Sequence, residues 1–147
     1  ICRGAERQRM DIAHERRSAM HFKQIDEAIA KAAMYTANHM SVKAIIALTE
    51  SGSTARWMSR IRSDIPIYAL TPHESTSRRV ALYRGVNPVK FEIDQSNPRS
   101  LYQDIFNALL PGGHVEEGDL VIFTKGDLDG VEGSTNAMKV VTVRSQQ

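Results

Sequence analysis

Residues 44–62 constrain the fold of this chain more than any other stretch. Ala44-Ile45-Ile46-Ala47-Leu48 is a short apolar run of the kind that forms a buried strand, and residues 54–62 read as a helix. The link between them is Thr49-Glu50-Ser51-Gly52-Ser53-Thr54. A strand that passes into a helix through such a link belongs to an α/β sheet, and the turn itself is a place for an anion. The first turn of a helix leaves backbone N–H groups unpaired and carries partial positive charge. Gly52 allows close backbone approach, and the hydroxyls of Thr49, Ser51, Ser53 and Thr54 can donate to phosphate oxygens. Ser and Thr are also favoured as plain helix caps, so the local pattern supports an ordinary N-cap as well as it supports an anion cradle.

The rest of the chain continues the alternation. Ile25, Ala28, Ile29, Ala32, Ala33 and Thr36 recur at helical spacing. They form a narrow, small-residue face suited to close packing on a sheet, and the helix is expected to end within residues 38–41. Strand two is expected over 65–70, with Pro66 near its start, where a missing donor is tolerated. A helix over 74–84 is closed by Gly85. Strand three covers 88–93, and a helix over 99–110 is stopped by Pro111-Gly112-Gly113. Strand four covers 120–124 and strand five 137–143. Strand–helix repetition implies parallel strands joined by right-handed crossovers. Strands four and five are joined without a helix, so that pair is expected to be antiparallel. The architecture expected is an α/β fold with a five-stranded, mostly parallel sheet whose last strand is antiparallel.

The length of 147 residues suits one domain with a real core. A net charge of +2 is too small to argue for nucleic acid, and the few aromatics are not interleaved with a basic stripe. Cys2 is the single cysteine, which rules out an internal disulfide and a thiolate metal cluster and fits a reducing, cytoplasmic setting. No apolar run approaches the roughly 20 residues of a membrane helix. Residues 1–20 are dense in charge, including Arg3, Glu6, Arg7, Arg9, Asp11 and Glu15, and read as a solvated helix or linker. The chain opens at Ile1 within what reads as the middle of an element, so a piece of a longer protein is expected.

Ligands in an open α/β sheet sit beyond the carboxyl ends of the strands. Thr49 and Thr71 lie at such ends. The segment Lys125-Gly126-Asp127-Leu128-Asp129-Gly130-Val131-Glu132-Gly133-Ser134-Thr135 follows strand four and reaches the same edge. Its glycines and acids fit a polar loop over a ligand or, equally, a long hairpin connection. It lacks the Gly-Lys-Ser/Thr of a Walker A loop, and no Gly-x-Gly-x-x-Gly occurs. The five histidines, His14, His21, His39, His73 and His114, show no metal-ligand spacing. No serine sits in a Gly-x-Ser-x-Gly elbow. Glu116, Glu117 and Asp119 read as a solvated turn, and Trp57, mid-helix, as core or interface. Of Arg78 and Arg79, one is a candidate to reach the anion site, with a surface pair as the equal alternative. No catalytic set is complete, so the chain reads as a ligand-binding domain without its own chemistry and without a metal site.

Six motifs in order carry a family resemblance. They are Thr49-Glu50-Ser51-Gly52-Ser53-Thr54-Ala55, Ser59-Arg60-Ile61-Arg62, Pro66-Ile67, Leu82-Tyr83-Arg84-Gly85-Val86-Asn87-Pro88, Gly118-Asp119-Leu120-Val121-Ile122 and Gly133-Ser134-Thr135-Asn136-Ala137-Met138. Together they resemble the C-terminal domain of pyruvate kinase over residues 22–143, and residues 1–21 resemble the end of the barrel helix and linker before it. The resemblance implies a three-layer α/β/α domain that binds an allosteric effector and forms part of the subunit interface of a homotetramer. Catalysis would lie in the barrel, where phosphate passes from phosphoenolpyruvate to ADP with Mg²⁺ and K⁺. Residues Thr49, Glu50, Ser51, Gly52, Ser53 and Thr54 match the family's effector-phosphate loop. Lys125, Gly126, Asp127, Gly133 and Ser134 match its effector loop, and Arg78 is a further candidate.

Two departures bear on the effector. Family members that bind fructose 1,6-bisphosphate often carry a basic or neutral residue at the position of Glu50, and tryptophan and arginine in the loop matching 125–134. Here that loop offers Asp127, Asp129 and Glu132, which would repel a second phosphate. The resemblance is therefore to the bacterial type activated by AMP or sugar monophosphates such as ribose 5-phosphate. The rival readings are an assembly domain with a vestigial effector site and a free-standing homologue.

Overall fold

A computed structural model describes residues 21–126 and 134–144. The expectations for residues 1–20, and for Asp127 to Gly133, lie outside the described residues. The elements run α1 (Ile25–His39), β1 (Ala44–Leu48), α2 (Ser53–Ser59), β2 (Ile67–Thr71), α3 (Glu74–Val80), β3 (Val86–Lys90), a 3₁₀ turn (Pro98–Ser100), α4 (Leu101–Leu109), β4 (Leu120–Gly126) and β5 (Thr135–Thr142).

The five strands form one sheet in the order β3-β2-β1-β4-β5. Pairs β1–β2, β1–β4 and β2–β3 are parallel, and β4–β5 is antiparallel. The order follows from crossover handedness. The chain steps outward from β1 to β2 to β3 with α2 and α3 on one face. It then returns past β1 to lay down β4, and a right-handed return requires the helix on the opposite face. That helix is α4, and the result is three layers.

Burial shows the same division. Val, Ile and Ala residues of the central strands are enclosed on both faces, and all of β1 is buried. This matches the near-continuous apolar runs of parallel strands. On one face Ile45, Ala47, Ile67 and Ile122 pack with Ala30, Ala33, Met34 and Ala37 of α1, with Ala55 and Met58 of α2, and with Val80 of α3. The alanines let α1 approach the sheet closely. On the other face Ile46, Leu70, Val121 and Phe123 pack with Leu101, Ile105, Phe106 and Leu109 of α4. None of the described helices is long and apolar enough to cross a membrane.

The differences from the expected boundaries have local causes. Helices α2 and α3 end earlier because their last turns tighten: Ile61 N–H bonds to Met58 O and Tyr83 N–H to Val80 O, both at 3.0 Å, as 3₁₀-type turns do. Strand β3 begins at Val86 rather than residue 88, with Pro88 opposite Ala69. Pro88 is tolerated because β3 is an edge strand. Strand β3 also ends at Lys90, short of residue 93, because its partner β2 ends at Thr71.

Candidate functional site

Strand order puts a crevice at the carboxyl ends of β1 and β4. The chain leaves β1 toward β2 on one side, and β4 lies on the other, so this is the topological switch point where α/β sheets bind ligands. A cavity of about 520 Å³ opens there. It is lined by the β1–α2 loop (Thr49, Glu50, Ser51, Ser53, Thr54), by Lys125 and Gly126 at the end of β4, and by Ser134 and Thr135 at the start of β5. Residues 91–95, beyond β3, also line it.

The loop is built by its glycine. Gly52 adopts φ of +83°, a left-handed conformation that favours glycine, and a Cβ there would lie 2.7 Å from Val80 Cγ1. That backbone lets the chain double back so that the Gly52 N–H donates to Thr49 Oγ1 at 2.8 Å. The two preceding carbonyls are pinned on α3: Thr76 Oγ1 donates to Glu50 O at 2.7 Å, and Arg79 Nη1 to Ser51 O at 3.1 Å. Of the paired arginines, Arg79 is thus the one that reaches the loop. Arg78 is exposed and donates to Glu74 at 3.2 Å.

The hydroxyls of the loop are paired within the protein. Ser53 Oγ donates to Asp26 Oδ2 at 2.6 Å, and Asp26 is fully buried in the first turn of α1. Thr54 Oγ1 and Thr135 Oγ1 share a hydrogen bond at 2.6 Å, which ties the loop to β5. A ligand phosphate would have to compete with Asp26 for the Ser53 hydrogen bond rather than find the hydroxyl idle. Helix α2 has seven residues, so its dipole is short, and the loop's donors and Lys125 matter more to an anion.

Charge in the lining is uneven. Lys125 is the one lysine or arginine among the described lining residues, and it has no ion-pair partner among the described residues. Glu50 is held by His73 Nε2, from the residue that caps α3. Gly126 sits at a register shift, where a Cβ would lie 2.5 Å from Ser134 O. The close approach of the two ends of the β4–β5 connection therefore depends on glycine. Trp57 lies outside the cavity, half-buried on the α1 face with Arg60 stacked at 4.7 Å. Asp119 accepts the Glu116 N–H at 2.7 Å, forming the expected turn.

The lining residues that sequence reasoning missed include the run Phe91, Glu92, Ile93, Asp94 and Gln95. Their signal was present. They follow a strand, and the carboxyl end of every parallel strand borders the same edge. The apolar alternation of Phe91 and Ile93 disguises the end of the ladder, so residues 91–93 read as strand.

Fold and cleft define a three-layer α/β/α domain with a hydroxyl-lined cavity at its switch point. The family model for the pyruvate kinase alpha/beta domain matches residues 27–141, and the chain belongs to that family. The pyruvate kinase of Buchnera aphidicola (subspecies Baizongia pistaciae) is 42% identical over 144 residues. Pyruvate kinase II of Salmonella typhimurium is 43% identical over 144 residues. Each match covers 97% of this chain and 30% of the relative, so the chain spans about a third of the length of these proteins. The Haemophilus influenzae pyruvate kinase is 35% identical over the same share of the chain.

Proposed function

We propose that this chain is the effector-binding and subunit-contact domain of a pyruvate kinase. In that reading its cavity takes a phosphorylated small molecule such as AMP or a sugar monophosphate. The parent enzyme would be a cytoplasmic homotetramer that transfers phosphate from phosphoenolpyruvate to ADP in a neighbouring barrel. Among the described residues no group of three or more His, Cys, Asp or Glu is placed to hold a metal. The Mg²⁺ and K⁺ of that chemistry would belong to the barrel. Effector action would be linkage: a ligand that prefers one quaternary arrangement shifts the population toward it.

The observation that carries the reading is the cavity itself, where the hydroxyl loop and Lys125, which has no ion-pair partner among the described residues, meet at the switch point. The test is thermal unfolding of the chain with AMP, ribose 5-phosphate, glucose 6-phosphate and fructose 1,6-bisphosphate in turn. A ligand at about 100 times its dissociation constant stabilises the fold by roughly 2.7 kcal/mol, which moves the midpoint by several degrees. Lys125→Gln removes the cation without touching a described ion pair and should abolish most of the shift. Midpoints unmoved by every ligand would sink the reading.

One observation favours a second reading, an assembly domain with a vestigial site. The hydroxyls of Ser53 and Thr54 are satisfied internally, so the loop is complete without a ligand. Replacing Ser53 and Thr54 with Ala in the pyruvate kinase that carries this domain separates the two. Activation disappears under the first reading and is unchanged under the second.

A further inference from the structure

We propose, building on the effector-site reading, that the cavity accepts a single phosphate and that Glu92 and Asp94 disfavour a second one at the end of the cavity beyond β3. The ligand class is a phosphomonoester whose far end carries hydrogen-bond donors, such as sugar hydroxyls or an exocyclic amine, and no further anion.

Strand order sorts the charges of the cavity. Along the carboxyl edge of the sheet come the residues after β3, the end of β2, the loop after β1, and Lys125 at the end of β4. Neighbouring strands are about 4.8 Å apart, so the hydroxyl loop and residues 91–95 stand about 10 Å apart along the edge. Lys125 lies on the far side of the loop from the acids. A phosphate held by the loop therefore has a cation on one side. Whatever the ligand extends the other way meets Glu92 and Asp94 above an apolar floor that includes Leu70, Phe91 and Ile93.

Among the described lining residues no lysine or arginine stands at that end. The lining carboxylates are Glu50, Glu92 and Asp94 against Lys125. Glu50 has His73, and Arg79 is committed to the Ser51 carbonyl. Neither Glu92 nor Asp94 takes part in an ion pair among the described residues. Asp94 stays charged: the Ser96 hydroxyl and the Ser96 N–H, at 2.9 Å, hold its carboxyl below its ordinary value. An ionised carboxylate only accepts hydrogen bonds, so hydroxyl and amine groups are rewarded there and a phosphate is not. A doubly charged phosphate about 7 Å from one carboxylate in a water-like medium is disfavoured about tenfold, and more where water is displaced.

The test is isothermal titration of the 147-residue chain with glucose 6-phosphate and glucose 1,6-bisphosphate, which differ by one phosphate. It is run at low ionic strength, because about 0.1 M salt screens charges beyond about 10 Å. The wild type should bind the monophosphate at least about tenfold more tightly. The isosteric double variant Glu92→Gln/Asp94→Asn should shrink that ratio about tenfold, mainly by gaining bisphosphate affinity. A cooperative unfolding transition close to the wild-type midpoint shows that the variant is folded, and Glu92→Gln alone serves if the double variant is not. A ratio that the substitutions leave unchanged, or a wild-type preference for the bisphosphate, overturns this inference and leaves the effector site standing. Binding of neither sugar phosphate nor AMP by the wild type overturns both.

Discussion

Residues 49–54 and residues 91–95 line the same cavity, yet they are held in place by different means. The loop after β1 is tied down on three sides: Ser53 to Asp26 of α1, Glu50 and Ser51 carbonyls to α3, and Thr54 to Thr135 of β5. The stretch after β3 is anchored by Phe91, which is buried in the same apolar cluster as Leu70 and Leu101 and whose N–H bonds to Thr71 O at 3.0 Å, and then runs largely exposed. Its one clear internal device is the Asp94–Ser96 turn. Substitution in the loop should therefore disturb stability and ligand together, whereas substitution in the acidic stretch should disturb ligand choice far more than stability.

The largest contrast is expected at Gly52. Alanine there must adopt a positive φ and place its Cβ 2.7 Å from Val80 Cγ1. Strain and overpacking together should cost about 2–4 kcal/mol. Gln95→Ala, in the exposed stretch, should stay within about 0.5 kcal/mol. Urea unfolding with an unchanged m-value measures both. Equal midpoints for the two variants would break the comparison.

Ser53→Ala is expected to be the next largest. It removes the donor at 2.6 Å from a carboxylate that has no exposure to water. A hydrogen bond to a charged group contributes about 1.5–3 kcal/mol, and the loss falls on the fold even without ligand. The same loss joined to Asp26→Asn in a double-mutant cycle would show a coupling energy above about 0.5 kcal/mol. A Ser53→Ala protein as stable as the wild type would mean that the loop is not latched to α1.

These two regions also differ in how far the sequence disclosed them. Gly52 among four hydroxyls after an apolar run is a local pattern, and local patterns are legible. The parallel sheet and the antiparallel last pair were legible for the same reason, because helices either intervene or do not. What no local pattern contains is the partner of each group. Asp26 lies 27 residues from Ser53, and Thr135 lies 81 from Thr54, and nothing in their own neighbourhoods points across that distance. The acidic stretch was hidden for another reason. Strand β3 stops where β2 stops, and the length of β2 is not written in residues 91–93. Arg78 and Arg79 are equivalent in sequence, and only the rotation of α3 decides which one meets the Ser51 carbonyl.

The smallest expected effect compares, under acid, a carboxylate of α1, the helix to which the loop is latched, with one from the acidic stretch. Glu27, nearly buried beside Asp26, has its carboxyl held below its ordinary value chiefly by the Lys31 hydrogen bond at 2.9 Å, with burial working in the opposite direction. Asp94 is lowered chiefly by the Ser96 hydroxyl. For a lowered carboxyl the unfolded chain binds its proton first as pH falls. Its contribution is therefore present above the unfolded value and is lost as pH drops through the folded one. Both Glu27→Gln and Asp94→Asn should flatten the acid limb of a stability profile taken from pH 7 to pH 3. Glu27→Gln should flatten it more, because its partner lies on α1 and vanishes on unfolding, while Ser96 stays within two residues of Asp94 in the unfolded chain. If Asp94→Asn flattens the limb more than Glu27→Gln, the acidic stretch contributes to the fold as much as the helix that latches the loop does, and the division between a stabilising region and a ligand-sorting one fails.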